Sequence, residues 1–535
     1  MLSAANKKSL TATSMVSTSS SENFSINSTN NNDFYSVASY TNEETISSKE
    51  NEGENTIDSI AIIANKSLTN DNSSSRAGLT LICIFLSFTG LIFGWDVGTI
   101  GGITNMTSFK NHFGTRIDSI TGEKYLPSLL VGGIISIFNI GCAAGGLSLA
   151  RIGDTYGRKI GIYLALIVYL IGLFIQITSV SGKWYQFFIG RIFTGLGVGS
   201  TSVLGPMFIS ESAPIDIRGR MISMYQVMCT FGILAGNVTN FICVKILLSS
   251  ATNRQWIIPI AIGILWAFFV FIAVIIAPES PIYLQEKKLK QENTNNKKVF
   301  FFNPLKNGNS LYLRLFIGIM IMVFQQTSGV NYFFYYGTSL FDSIGSSDPY
   351  LTAIILSAVN FGTTLSGISL VDKLGRKKLL FYGSIGCFIS MFVYASVGQF
   401  CGGAIHVATI IMILFTCLFI ISFAITLGPV SFVVISELFP AHCKNLCMAI
   451  STLFNWLFNF LIGFFTPIIT SKIGFSFGYV FAAFMLISIF FVFFMVPETK
   501  GLTSFQIEEI YSGNRGNCAS QQESCKKEIS TENDF

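Results

Sequence analysis

Charge is what this 535-residue chain has least of. Asp, Glu, Lys and Arg make up 12% of it, against roughly a quarter in a soluble domain. With 50% hydrophobic residues and a mean hydropathy of +0.57, that scarcity excludes a soluble globular enzyme and implies a polytopic membrane protein. Histidine occurs three times, and the eleven cysteines are scattered without a CxxC pair. Neither pattern gives a basis for a metal centre. Cys83, Cys142, Cys229, Cys387 and Cys417 sit inside apolar runs and read as small packing residues. No GxxxxGK[ST] loop is present to cradle a nucleotide phosphate. The first residues do not read as a signal peptide.

Long apolar runs are what the chain does have. A span needs ~20 apolar residues to cross ~30 Å of hydrocarbon. Twelve runs qualify, near 79–100, 126–150, 160–179, 184–209, 220–243, 256–277, 312–341, 350–370, 378–397, 404–435, 445–469 and 476–496. Each must be helical, because a lipid-facing segment has to pair its own backbone polar groups. The fold class expected is an all-α membrane protein with twelve transmembrane helices. Residues 1–76, rich in Ser, Thr and Asn, are expected to be a disordered tail. Residues 77–281 form the first bundle, 282–311 a charged linker, 312–500 the second bundle and 501–535 a polar tail.

Basic residues set the orientation. The loops after spans 2, 4, 6, 8 and 10 hold about 17 Lys and Arg, among them Arg151, Arg158, Lys159, Arg218, Arg376 and Lys377; the opposite loops hold about seven. The richer face is expected to be cytoplasmic, with both termini on that side. The sequon Asn105-Met106-Thr107 then falls outside, where it is either a glycosylation site or a chance match.

Short phrases recur at nearly constant offset. "GDTYGRK" (153–159) is echoed by "DKLGRKK" (372–378), "ISESAP" (209–214) by "ISELFP" (435–440), and "PES" (278–280) by "PET" (497–499). Asp154 and Asp372 are 218 residues apart, and the other two offsets are 226 and 219. The chain therefore reads as two copies of a six-helix unit in parallel orientation. Acids recur with the bases: Asp154, Arg158, Glu211, Arg218 and Glu279 in the first half, Asp372, Arg376, Glu437 and Glu498 in the second. Pairs formed between the halves would latch the cytoplasmic mouth. The competing reading is that the bases merely hold the loops inside.

Polar groups within the spans suggest the cargo. Gln325, Gln326 and Asn331 cluster in "FQQTSGVNYFFYYG". Each amide both donates and accepts, as a sugar hydroxyl does, so the set suits a neutral polyol better than an ion. On a regular helix Gln325 and Asn331 lie ~240° apart, and Gly329 would permit a break that redirects Asn331. Gln226, Asn360, Asn455 and Trp456 can converge on the same cavity, the tryptophan offering a flat face and an N–H. The alternative for each is hydrogen bonding between helices without a ligand. Asp96 and Arg191 are charges inside spans and are expected to pair, as a structural ion pair or a coupling site. Gly195, Gly197, Gly199, Gly232 and Gly236 read as close-packing positions.

The phrases "GRKIG" (157–161), "KWYQFFIGRIFTGLGVG" (183–199), "PESP" (278–281), "QQTSGVNYFFYYGTSLF" (325–341), "VDKLGRKK" (371–378) and "VPETKGLT" (496–503) stand together over about residues 79–512. In them the chain resembles the sugar-porter branch of the major facilitator superfamily, and within it the yeast-type hexose transporters. The resemblance implies the major facilitator fold and alternating access without ATP or any cofactor. It marks Gln226, Gln325, Gln326, Asn331, Asn360 and Trp456 as sugar contacts and Tyr335 and Tyr336 as the outer gate. Asp154, Arg158, Glu211, Arg218, Asp372, Arg376 and Glu437 become the inner latch, and Asp96 with Arg191 a coupling pair. It implies a multi-pass plasma-membrane carrier of monosaccharides, a monomeric transport unit with no nucleic-acid partner. Facilitated diffusion is the expected mode. Proton–sugar symport, with a proton as co-substrate, is the alternative, and a non-transporting glucose sensor a weaker one. Ile282 stands where the family usually has Arg, Phe432 where many relatives have Trp, and Lys444 alone replaces the bases of Arg218 and Arg220.

Overall fold

The computed structural model describes residues 73–511, apart from most of 282–308 and short gaps in the connecting loops. The expected tails at 1–76 and 501–535 and the linker at 282–311 fall largely outside the described residues. Among the described residues, eleven helical stretches are long and apolar enough to cross a membrane. The last of these, Lys444–Met495, is two helices, Lys444–Ile473 and Gly478–Met495, joined by a 3₁₀ turn. The twelve spans are then Gly78–Ile103, Ser128–Gly153, Arg158–Ile177, Trp184–Ser212, Arg218–Ile246 and Arg254–Ile276 in the first half. The second half has Ser310–Leu340, Pro349–Val371, Arg376–Phe400, Val407–Leu438, Lys444–Ile473 and Gly478–Met495.

Among the described residues, one element departs from an all-α chain. Strand β1 (Arg116–Ile117) pairs antiparallel with β2 (Lys124–Tyr125) in the loop after span 1. Both strands are exposed, so water can serve their outer edges and the rule that confines spans to helices does not apply there.

The packing repeats as the phrases do. In the first half, span 4 packs on spans 2 and 3, span 1 on span 5, and span 3 on span 6. In the second half the contacts shift by six: span 10 packs on spans 8 and 9, span 7 on span 11, and span 9 on span 12. The main contacts between halves, span 2 with span 11 and span 5 with span 8, are exchanged by the same shift. Two parallel six-helix repeats related by a pseudo-twofold relation account for all of these.

Glycine permits the tightest of these approaches. A Cβ on Gly195 or Gly199 would overlap the backbone of Phe138 or Cys142 in span 2, and one on Gly197 would crowd Ala165 in span 3. Gly232 and Gly236 meet span 1 in the same way. The backbones touch because no side chain intervenes.

Two spans of the second half are broken near their middle. The helix of span 7 stops at Thr327 and resumes at Val330, with Gly329 at φ +92°. Span 10 stops at Ile425 and resumes at Leu427, with Thr426 at φ −122°, ψ −89°. Breaks of this kind free backbone carbonyls inside the bundle and re-aim the side chains that follow.

Candidate functional site

The amides of span 7 lie at these two breaks. Gln325, Gln326 and Asn331 are each buried. Asn331 Nδ2 donates to Gln326 Oε1 at 2.7 Å, so the kink at Gly329 does bring Asn331 round to the glutamines. Gln326 Nε2 donates to Asn455 Oδ1 at 3.0 Å, and Asn455 Nδ2 donates to Gln325 Oε1 at 2.7 Å and Met322 O at 3.1 Å. Gln325 Nε2 ends the chain on the carbonyls of Leu427 and Gly428, at 3.2 and 2.9 Å, where span 10 is broken. Four side-chain amides from spans 7 and 11 thus form one relay onto the open backbone of span 10.

The other expected contacts surround this relay unevenly. Gln226, half-buried on span 5 of the first half, brings its Nε2 up to Gly428, 3.6 Å from where a Cβ on that glycine would stand. Trp456 is 2% exposed, with its ring edge-on to Phe93 at 5.1 Å and Phe138 at 6.4 Å. Its Nε1 has no partner among the described residues. Asn360 is 2% exposed and its Oδ1 is likewise unpartnered, but no described hydrogen bond ties it to the relay. Phe432 packs on Tyr225 with ring centroids 5.9 Å apart. Sequence reasoning passed over Asn459, fully buried on span 11 one turn from Asn455, with neither side-chain atom partnered among the described residues. Its only signal was an amide inside an apolar run.

Asp96 and Arg191 pair with each other, as expected of charges inside spans. Arg191 is fixed further by the carbonyls of Ile134 and Ile135, both at 3.3 Å, and lies 4.6 Å from the centre of the Phe138 ring.

At the face expected to be cytoplasmic, the repeated phrases knit into one network per half. Arg158 donates from Nε and Nη2 to the two oxygens of Glu211, at 3.1 and 3.0 Å, and from Nη1 to Gly153 O at 2.9 Å. Arg376 does the same to Glu437, at 3.1 and 2.7 Å, and to Val371 O at 3.2 Å. Glu279 accepts from the backbone N–H groups of Arg158 and Lys159, which open span 3. Glu498 accepts from those of Arg376 and Lys377, which open span 9. Ser280 and Thr499 each donate a hydroxyl to the corresponding Glu211 or Glu437. Gly157 (φ +120°) and Gly375 (φ +91°) admit the capping carboxylates, which a Cβ would strike.

This corrects the expected latch. The described pairs of Arg158 with Glu211 and Arg376 with Glu437 lie within halves, because each arginine opens a helix whose junction its own half must close. What bridges the halves is smaller. Among the described residues, Lys444 Nζ donates to Ser210 Oγ of the first half at 3.0 Å. Lys444, which stands alone where the first half has Arg218 and Arg220, reaches across to the first half. The side chains of Asp154 and Asp372 lie outside the described residues.

The opposite face is closed by bonds between halves. Asn105 Nδ2 donates to Thr338 Oγ1 at 2.7 Å and its Oδ1 accepts from Ser339 at 3.1 Å. The sequon is therefore spent on closure, which favours the chance match over a glycan. Tyr350 donates to Gly102 O at 3.1 Å, Asn237 to Ser357 Oγ at 2.7 Å, and Lys245 pairs with Asp348 at 2.9 Å. That lysine's hydrogen bond holds the Asp348 carboxyl below its usual range. Of the expected outer-gate pair, Tyr335 reaches across to Asn139 Oδ1 at 3.5 Å, whereas Tyr336 bonds Gly463 O within its own half.

Comparison with known proteins fits this geometry. The family profile for "Sugar (and other) transporter" matches residues 82–299 and 285–511. The hexose transporter HXT14 of Saccharomyces cerevisiae is 44% identical over 478 residues, covering 81% of this chain and 88% of that one. The low-affinity glucose transporter HXT3 of the same yeast is 40% identical, covering 85% and 86%. Hexose transporter 2 of Kluyveromyces lactis is 39% identical, covering 82% and 83%. Among solved structures, the proton:xylose symporter XylE bound to 6-bromo-6-deoxy-D-glucose superposes with a TM-score of 0.71 at 26% identity, covering 82% of this chain and all of that one. The inward-open form of XylE from E. coli gives 0.63 at 26% identity, covering 81% and 99%.

Proposed function

The chain belongs to the family of sugar transporters with the major facilitator fold, and from that premise we propose that it carries hexoses across the plasma membrane by alternating access. The observation that carries the reading is the amide relay of Gln325, Gln326, Asn331 and Asn455, set on the broken backbone of span 10 and approached by Gln226 from the other half. These amides satisfy one another. A sugar hydroxyl can replace any link, donating where one amide donated and accepting where another accepted. The exchange trades one buried hydrogen bond for another, so the site does not have to be dehydrated afresh with each cycle. Trp456 Nε1 and Asn360 Oδ1, buried without partners among the described residues, can take further hydroxyls.

Motion follows from where the bonds lie. The described bonds between halves at the Asn105 face and at Lys444 are individually weak, so each face can open while the other holds. The networks of Arg158 and Arg376 keep each half rigid as it rocks. The face they occupy is cytoplasmic in this reading, and both termini lie on that side.

The transport mode is facilitated diffusion. Arg191 is held by Asp96, two carbonyls and a ring face, so the carboxylate has a fixed counter-ion rather than a mobile one. The second reading is proton symport, in which Asp96 would be the coupling carboxylate. Uptake of labelled glucose, fructose and galactose in cells without their own carriers tests both. Uniport requires uptake that survives a protonophore and leaves the medium's pH unchanged; sugar-induced alkalinisation would replace it with symport. No uptake of any of the three would remove the hexose reading.

A further inference from the structure

The amide relay belongs almost wholly to the second half, yet four buried polar atoms without partners lie where span 2 of the first half packs against span 11. They are Asn139 Nδ2, Trp456 Nε1, and Asn459 Nδ2 and Oδ1, and none has a hydrogen-bond partner among the described residues. Asn139 and Asn459 are fully buried and Trp456 is 2% exposed. Native proteins satisfy roughly 90% or more of such atoms, so four at one junction call for an occupant that the protein itself does not supply.

Their proximity is fixed by neighbours on both helices. Phe138 stands 6.4 Å from Trp456 between ring centroids, and Ser136 abuts Gly463 one turn beyond Asn459. From the second half, the Tyr335 hydroxyl donates to Asn139 Oδ1 at a long 3.5 Å. Asn139 therefore has its acceptor loosely engaged by the second half and its donor without a partner among the described residues.

We propose that Asn139 is a sugar contact contributed by the first half, donating from Nδ2 to a substrate hydroxyl beside Trp456 and Asn459. This rests on the hexose reading above. Its consequence is mechanical: a sugar held by the relay on one side and Asn139 on the other bridges both halves, so its binding free energy favours the closed form over either open one. An amide is the fitting group there, since it can bind a hydroxyl without placing a charge in the bilayer.

The test is equilibrium binding and uptake of D-glucose and its monodeoxy analogues by wild type, N139A, N139S and Q325A. Removing the hydroxyl that Asn139 binds should weaken the wild type about five- to tenfold and leave N139A unaffected, while Q325A remains sensitive at that position. N139A should also bind D-glucose about five- to tenfold more weakly than wild type. N139S, whose hydroxyl stops one bond short of the Nδ2 position and so loses the contact, is read in place of N139A if the alanine variant folds poorly. Wild-type affinity and a wild-type analogue profile in N139A or N139S would overturn the proposal, leaving the orphaned atoms to water. If Q325A were also wild-type throughout, the relay itself would fail as the sugar site, a different failure from that of Asn139 alone.

Discussion

Replacing Glu498 by Gln separates the two roles that the charged phrases can play. Its carboxylate accepts from the N–H groups of Arg376 at 2.8 Å, Lys377 at 3.2 Å and Lys500 at 3.0 Å, and it sits at the N-terminus of span 9. The amide keeps one acceptor oxygen and turns an NH₂ group toward donors. Losing a cap costs ~0.5–2 kcal/mol, and a charge-assisted hydrogen bond ~1.5–3 kcal/mol. These overlap, so the expected loss is about 2–4 kcal/mol, confined to the second half. The purified variant should melt several degrees lower, with or without sugar. It should not favour either open form, because no described bond of Glu498 crosses between halves. Lys444→Met is the complement: it removes the bond to Ser210 and should leave melting nearly unchanged while opening the inner face. Buried Cys443 and Cys447 lie beside Lys444 and report that opening through their rate of maleimide labelling, mapped by mass spectrometry. If Glu498→Gln melted like wild type and exposed Cys447 as fast as Lys444→Met, the networks would be latches after all, and the assignment to separate halves would be wrong.

Three further outcomes follow from the same geometry. Gln325→Ala should weaken sugar affinity by roughly 1–3 kcal/mol, read as a rise of about five- to 150-fold in KM with the protein still at the surface; an unchanged KM would detach Gln325 from the site. Asp348→Asn keeps the cap on Leu351 but loses the ion pair to Lys245, and should bias the carrier toward opening at that face by under about 1 kcal/mol, in labelling of a cysteine placed at Thr338. Because Lys245 lowers the Asp348 carboxyl, the pair is intact above the usual carboxylate range and is lost only as pH falls through that lowered value. The wild type should therefore show no closure change from this pair between about pH 5 and 8, and a change within that window would point to another group. Gly329→Ala forces a side chain into a φ of +92°, against Phe481 and Met391; uptake should fall because Asn331 is turned from the relay, and normal uptake would show that the kink is dispensable.

Much of this architecture was legible in the residues because membrane helices write long, unbroken signals. Twelve spans, their pairing by repeat and the break at Gly329 were all readable from hydropathy, offset phrases and one misplaced face. The partner of each charged phrase was not. Arg158 could meet Glu211 or Glu437 on the evidence of sequence alone, since both acids lie at the same depth; only helix packing decides. The closing bonds at Asn105 escaped notice for the same reason, the sequon being a stronger local pattern than a contact with a residue 233 positions away. Asn139 and Asn459 were hidden by their surroundings, single amides inside runs that otherwise read as packing. The β1–β2 ladder was too short to leave any periodicity.

The repeat also shows where the halves part company, and that difference bears on the motion. Span 4 runs as one helix from Trp184 to Ser212, straight through Pro206. Its counterpart, span 10, breaks at Thr426, three residues before Pro429. The first half pins its centre with Asp96, Arg191 and the span 2 carbonyls; the second fills the equivalent region with amides that can exchange partners. Span 1 is interrupted too, at Phe88, but with helical angles (φ −62°, ψ −15°), so a bundle locked by an ion pair and one hinged at two sharper breaks will not flex equally. Backbone amide exchange should therefore be fastest, among the buried spans, at 327–330 and 425–428, where the helical ladder is interrupted, and slow across 191–206. Bound sugar should slow the first two segments by lending partners to the carbonyls of Leu427 and Gly428, and leave the third unchanged. Equal protection of spans 4 and 10, with no response to sugar, would mean that the carrier moves as two rigid bodies and that the breaks serve binding alone.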